Sequence, residues 1–170
     1  MLETVLKLAL AAVVAVILVI LFSFQSLDHN RSLALFHLGR MNKSLRRWME
    51  EGGKLFDYVE EGDKEKQYLS LIRQYDSTKK HNAYYKADLF NQAHGIIFTV
   101  TADHYDETEL SFFCENMDEK SADIDYWEEY NHYAAVFNRK LERGVSGLIG
   151  RVLRMKNLTP LDDLALIYKK

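Results

Sequence analysis

The sequence predicts an all-α fold: an N-terminal single-pass transmembrane helix followed by an antiparallel bundle of three to four long helices. Three observations lead there. The 170-residue chain has a single proline, Pro160, and few glycines, so little interrupts a helix. An uncharged run, LALAAVVAVILVILFSF, occupies residues 8–24. Beyond it, apolar residues recur at steps of three and four.

The apolar run comes first. With Val5 and Leu6 added and Lys7 able to snorkel, it reaches the length of about 20 residues that crosses some 30 Å of hydrocarbon. A cleaved signal would be shorter and end at a small-x-small site, whereas this run ends FSFQSLDHN. A retained anchor over residues 1–27 is expected. Its N-terminal flank carries only Lys7 and the amine, while Arg31, Arg40, Lys43, Arg46 and Arg47 follow it. Positive flanks stay in the cytoplasm, so the body of the protein is expected there.

The bundle is expected over residues 28–158, with a tail at 159–170. Phe24, Leu27, Ala34, Leu38, Met41, Leu45, Trp48, Leu55 and Val59 form one helical stripe that continues the membrane helix without a linker. The Gly52-Gly53 pair is expected to kink or break it, and Gly62-Asp63 to end it. A second stripe runs Tyr68, Leu71, Ile72, Tyr75, Asn82, Tyr85, Leu89, Ala93, Ile96, Ile97 and Val100. The segment GIIFTVT would pass for a strand, but an isolated strand has no partner, so a helix that bends at Gly95 is expected. Asp106 or Thr108 then offers a cap for the next helix, which carries Phe113, Met117, Ile124, Trp127, Ala134 and Leu141. A break in either long helix raises the count to four.

Residues 130–150, YNHYAAVFNRKLERGVSGLIG, repeat an aromatic-Asn pair at seven residues and then place glycines at 144, 147 and 150. A heptad frame anchored on Met117 puts Ile124, Asn131, Asn138, Val145 and Val152 on one seam position. It puts Phe113, Lys120, Trp127, Ala134, Leu141 and Leu148 on the other. Both asparagines are then expected on the packing seam or at its edge, their amides bonded to facing helices or to exposed backbone. Tyr130 and Phe137 flank the seam. The glycines are expected to end the helix, to allow a close backbone approach, or to seat the tail on the membrane. Arg139, Lys140, Arg143, Arg151, Arg154 and Lys156 face only Glu142 in this stretch, so Arg151, Arg154 and Lys156 are candidate contacts to an anionic leaflet.

These residues resemble the LemA family, which has an N-terminal membrane helix, a helical bundle and a C-terminal signature of the form I…YN-x-x-V-x-x-YN-x-x-I before a Leu-Ile-Ala/Gly run. The counterparts are Ile124, Tyr130-Asn131, Phe137-Asn138, Leu141 and Leu148-Ile149-Gly150. ADHYDETEL at 102–110 is similar to the family's Tyr-Pro-acidic segment, with Asp106 in place of proline. The family's long first-helix motif is absent save for Leu45-Arg46-Arg47, and the stretch from Tyr105 to Tyr130 is a few residues short. The resemblance implies a bacterial inner-membrane protein with a four-helix bundle and no catalytic residues.

Sites for chemistry are sparse. Glu129-x-x-His132 has the spacing of di-iron bundles, which need two such motifs, and no other histidine has a glutamate three before it. His104 among Asp103, Asp106 and Glu107 is a second candidate for a divalent ion, and a solvated loop explains it as well. Cys114 is the only cysteine and sits in no Cys motif. No phosphate loop, nucleophile elbow or zinc spacing occurs, so no cofactor and no enzymatic step are expected. Residues 103–129 hold eleven acidic residues against Lys120, which argues against nucleic acid on that face and suits a basic partner. The expected function is a membrane-anchored scaffold or adaptor, with membrane lipid and other membrane proteins as partners and homo-oligomers compatible with it. The alternatives are a fixed subunit of a membrane complex, with Ala9, Ala11, Ala12 and Ala15 as a close helix contact, and a metal-dependent bundle enzyme.

Overall fold

The computed structural model describes residues 2–79, 82–104, 113, 117 and 126–161. Every regular element among them is helical: α1 (Leu2–Gly52), a 3-10 turn (Gly53–Asp57), α2 (Gly62–Ser77), α3 (Ala83–Asp103), α4 (Tyr126–Glu142) and α5 (Gly144–Val152). Four of these are long, and Phe113 and Met117 are also helical. The chain forms two compact units, residues 1–35 with 130–160 and residues 36–129 with 161–170, and the division falls inside α1.

α1 runs from the apolar stretch into core-forming residues without a break. Its N-terminal part is long and apolar enough to cross a membrane, and none of it is buried. From Leu27 onward the stripe read from the sequence goes inside: Leu27, Ala34, Leu38, Met41, Leu45, Trp48, Leu55 and Val59 are all buried. Gly52 ends the helix, as expected. There a Cβ would lie 2.6 Å from the Tyr68 hydroxyl, so only glycine admits that ring.

In the second unit, α2 runs antiparallel to α1 and α3 antiparallel to α2. Tyr68 donates to Met49 O at 2.8 Å and Tyr75 donates to Asn42 O at 2.9 Å. Met49 O lies in the last turn of α1, so the Tyr68 phenol ties α2 to the end of that helix. Lys86 ties α3 to the last turn of α2 in the same way. Its ammonium donates to Tyr75 O at 2.8 Å, where the helix dipole favours a cation, and lies 3.8 Å from the Tyr75 ring centre. Trp48 meets Phe90 edge-on at 5.1 Å and stacks on His94 at 5.2 Å. Arg46 forks onto Asp76 at 2.6 and 2.9 Å and also reaches Glu50 at 2.9 Å, so hydrogen bonding to Asp76 raises its already high pKa. Lys64 pairs with Asp103 at 2.9 Å and holds that exposed carboxyl below its usual range.

Two expectations about these helices are corrected. Gly62-Asp63 does not end the first helix. It opens α2, where Asp63 and Glu65 complement the N-terminal dipole. The second stripe is not one helix. It is two helices, α2 ending at Ser77 and α3 beginning at Ala83, and α3 continues through Gly95 without interruption. The break has a local cause: the Ser77 and Thr78 hydroxyls both donate to Gln74 O, at 2.9 and 2.7 Å, competing with helix continuation, and Thr78 turns extended. The interruption shifts the phase of α3, so Asn82 and Tyr85 face outward while Ala83, Lys86, Ala87 and Phe90 go in. Asp106, Glu107, Thr108, Cys114, Lys120 and Ile124 lie outside the described residues.

Candidate functional site

The residues singled out by sequence gather in the first unit, where α4, α5 and the chain after them adjoin α1. α4 buries Tyr130, Ala134 and Phe137, spaced four and three apart. This corrects the seam. The aromatic partner of each Tyr/Phe-Asn pair forms it, and Asn131 and Asn138 stand half-buried at its edge. Burying two aromatic rings removes far more apolar area from water than burying two amides. An amide at the margin also keeps its hydrogen bonds without a desolvation penalty.

Asn138 uses that margin to hold backbone. Its Nδ2 donates to Leu158 O at 2.7 Å, and its Oδ1 accepts from Leu158 N at 2.8 Å. One side-chain amide thus satisfies both polar groups of a residue in the extended segment after α5. Tyr130 donates to the next carbonyl, Thr159 O, at 2.8 Å, and burial pushes its phenol above the ordinary range. The expected contact between asparagine and exposed backbone is therefore present at Asn138, and its partner is the chain's own tail. Leu158 and Thr159 carry no sequence signal as partners, because a strap held by side chains has no periodicity. Asn131 has an interaction partner as well.

Asn138→Ala is expected to cost about 1–3 kcal/mol, leaving two backbone groups of Leu158 with only water as partner. Amide hydrogen exchange at Leu158 should accelerate markedly, with Tyr130→Phe adding a smaller effect at the same segment. Unchanged exchange at Leu158 in both variants would mean that the strap is held elsewhere.

The three glycines resolve into two roles. Gly144 has φ +61, a left-handed turn that ends α4 and starts α5. Gly147 and Gly150 are buried against Leu141. A Cβ at 147 would sit 2.8 Å from Leu141 O, which is backbone and cannot step aside, and one at 150 would strike the Leu141 side chain. Both glycines, one turn apart, meet the same residue, so α5 crosses the last turn of α4. With its small residues inward, α5 points its large ones outward. Leu148 is 62% exposed and Val152 74%, while Ile149 is half-buried. Arg151, Arg154 and Lys156 are exposed. Lys140, in the last turns of α4, donates to Ser26 Oγ at 2.6 Å, two residues past the end of the apolar run.

The metal candidates look different. Glu129 and His132 are both exposed on α4, and His132 lies edge-on to Tyr133. His104 Nδ1 sits 3.0 Å from Val100 O, where it donates, and Asp103 is engaged by Lys64. Among the described residues, no group of three or more His, Cys, Asp or Glu is placed to hold a metal ion. Set against family models, curated proteins and solved structures, the chain matches none.

Proposed function

We propose that this chain is a single-pass anchored scaffold of the bacterial inner membrane, LemA-like, whose cytoplasmic bundle holds other membrane-associated proteins and performs no chemical step. What supports the reading is the continuity of α1. The same helix is wholly unburied through its apolar run and supplies buried core from Leu27 onward, with no linker between the two stretches. A bundle whose core begins on the membrane helix itself is kept at the bilayer, which suits a protein that gathers partners there. Arg31, Arg40, Lys43 and Arg47 lie exposed after the run, which favours the cytoplasmic orientation.

The test is crosslinking in native membranes followed by purification in mild detergent and mass spectrometry. A scaffold should appear alone or as a homo-oligomer, carrying partners in variable amounts. A single complex of fixed stoichiometry would instead make it a structural subunit. Substrate turnover by a purified metal-loaded bundle would overturn the non-enzymatic reading. That fragment must begin upstream of Ser26, because Leu27 is fully buried and Ser26 is bonded to Lys140.

A further inference from the structure

We propose that α5 is an interfacial helix lying on the membrane surface, with Val145, Leu148 and Val152 in the lipid boundary and Arg151, Arg154 and Lys156 on anionic headgroups. The inference rests on the reading of α1 as a membrane anchor and adds a second contact with the same bilayer.

Three observations carry it. First, α5 is inside out for a soluble helix. At 100° per residue, Val145, Leu148 and Val152 fall within a 60° arc. They are 39%, 62% and 74% exposed, while the opposite side is Gly147 and Gly150, held on Leu141. A helix that needed to bury apolar surface within the protein would place those side chains inward. Here the glycines fix the opposite orientation, since a larger residue at 147 would meet backbone.

Second, its position fits. Lys140 is tied to Ser26, two residues past the last residue of the uncharged run, and α5 begins one turn after Lys140. Within this unit, α5 therefore starts where α1 leaves the apolar stretch. It crosses the last turn of α4, and the Asn138 and Tyr130 bonds to Leu158 and Thr159 lead the chain back along α4. A loop that comes to the end of α4, lays down a short helix and returns is the geometry of a surface-docking element.

Third, the charge is complementary. Arg151, Arg154 and Lys156 are exposed at the end of the helix, and Glu142 is the only acidic residue from Arg139 to Lys156. Each such cation is worth roughly fivefold in partitioning to an anionic surface. A second copy of the chain could cover the apolar face, but it would explain neither the cations nor the placement beside the apolar run.

The test uses the full chain, with Cys114→Ser, in vesicles of phosphatidylcholine alone or mixed with phosphatidylglycerol. A polarity-sensitive fluorophore is attached at Leu148→Cys, Glu142→Cys or Val14→Cys, and quenchers are placed on the lipid chains. The label at 148 should shift to the blue and be quenched by shallow lipid quenchers, more strongly with phosphatidylglycerol, while the label at 142 stays in water. Changing Arg151, Arg154 and Lys156 together to Gln should remove the gain from phosphatidylglycerol. A label at 148 quenched no more than that at 142, while Val14 is quenched deep in the bilayer, overturns the inference and leaves the anchor standing. Loss of quenching at Val14 removes the anchor and the inference together. Shielding of 148 that rises with protein density without lipid quenching assigns the face to a second copy and also overturns it. The other substituted positions are exposed, and circular dichroism of the Cys114→Ser parent serves as the folding control.

Discussion

Phe137→Ala is expected to destabilise the protein by about 3–5 kcal/mol, the range for removing a fully buried aromatic side chain. Phe137 is 0% exposed and is the largest apolar side chain so placed in the first unit. Of the other buried residues there, Leu27 is the one large aliphatic side chain, and the rest are small or hydrogen-bonded. Ala34, Ala134, Gly147 and Gly150 have little volume to move into a cavity, Tyr130 is tied to Thr159, and Asn30 is bonded to Ser26 O at 2.5 Å. Thermal unfolding in detergent should show a large drop in midpoint for Phe137→Ala, and hydrogen exchange should rise at Leu158 and along α4. The matched control is Phe98→Ala. That ring is 70% exposed on α3, so its loss should change stability by no more than about 0.5 kcal/mol. Equal losses from the two variants would contradict the burial assigned to Phe137.

The same residue shows how far the sequence could be read. The all-helical class, the continuous first helix and the break at Gly52 follow from features that act locally: one proline, a 3.6-residue period, a glycine pair. Each residue of the α1 stripe from Leu27 to Val59 is inside because the phase runs unbroken from one end to the other. Phase was lost wherever something non-periodic intervened. At Thr78 two hydroxyls turned on Gln74 O end α2, and the stripe extrapolated through them left Tyr85 on the wrong side. The cluster Ser77-Thr78 followed by Asn82 was the available signal, since those residue types favour helix ends. In α4 the frame anchored on Met117 set the asparagines on the seam, one position off. A heptad does not distinguish the seam from its flank when the flank holds aromatics, and the larger apolar area of Tyr130 and Phe137 decides the rotation. The tail contact at Leu158 and Thr159 was invisible, because a held extended strap is specified by its partner side chains and not by its own residues.

Alkaline pH should unfold the second unit, and the tyrosines set where. Tyr68 and Tyr75 are 0% and 1% exposed, and burial pushes both phenols far above the ordinary value near 10. Each donates its proton to a backbone carbonyl, Met49 O or Asn42 O, a bond that a phenolate cannot make. The sign follows from linkage. In the unfolded chain both phenols ionise near pH 10, while the folded state keeps its protons until well above that. Stability is therefore complete below about pH 10 and falls as pH rises beyond it, by about 1.4 kcal/mol per pH unit for each phenol held neutral. The two together give a slope near 3 kcal/mol per unit, enough to consume an ordinary domain's stability within a few units. Circular dichroism should thus show a steep alkaline transition accompanied by the tyrosinate absorbance of the buried phenols. Tyr68→Phe with Tyr75→Phe separates this from general alkaline repulsion. At neutral pH the double variant should be less stable by about 1 kcal/mol for each lost hydrogen bond, yet its stability should depend much less on pH above 10. An alkaline slope unchanged by the double substitution would mean that neither ring is held neutral by the fold.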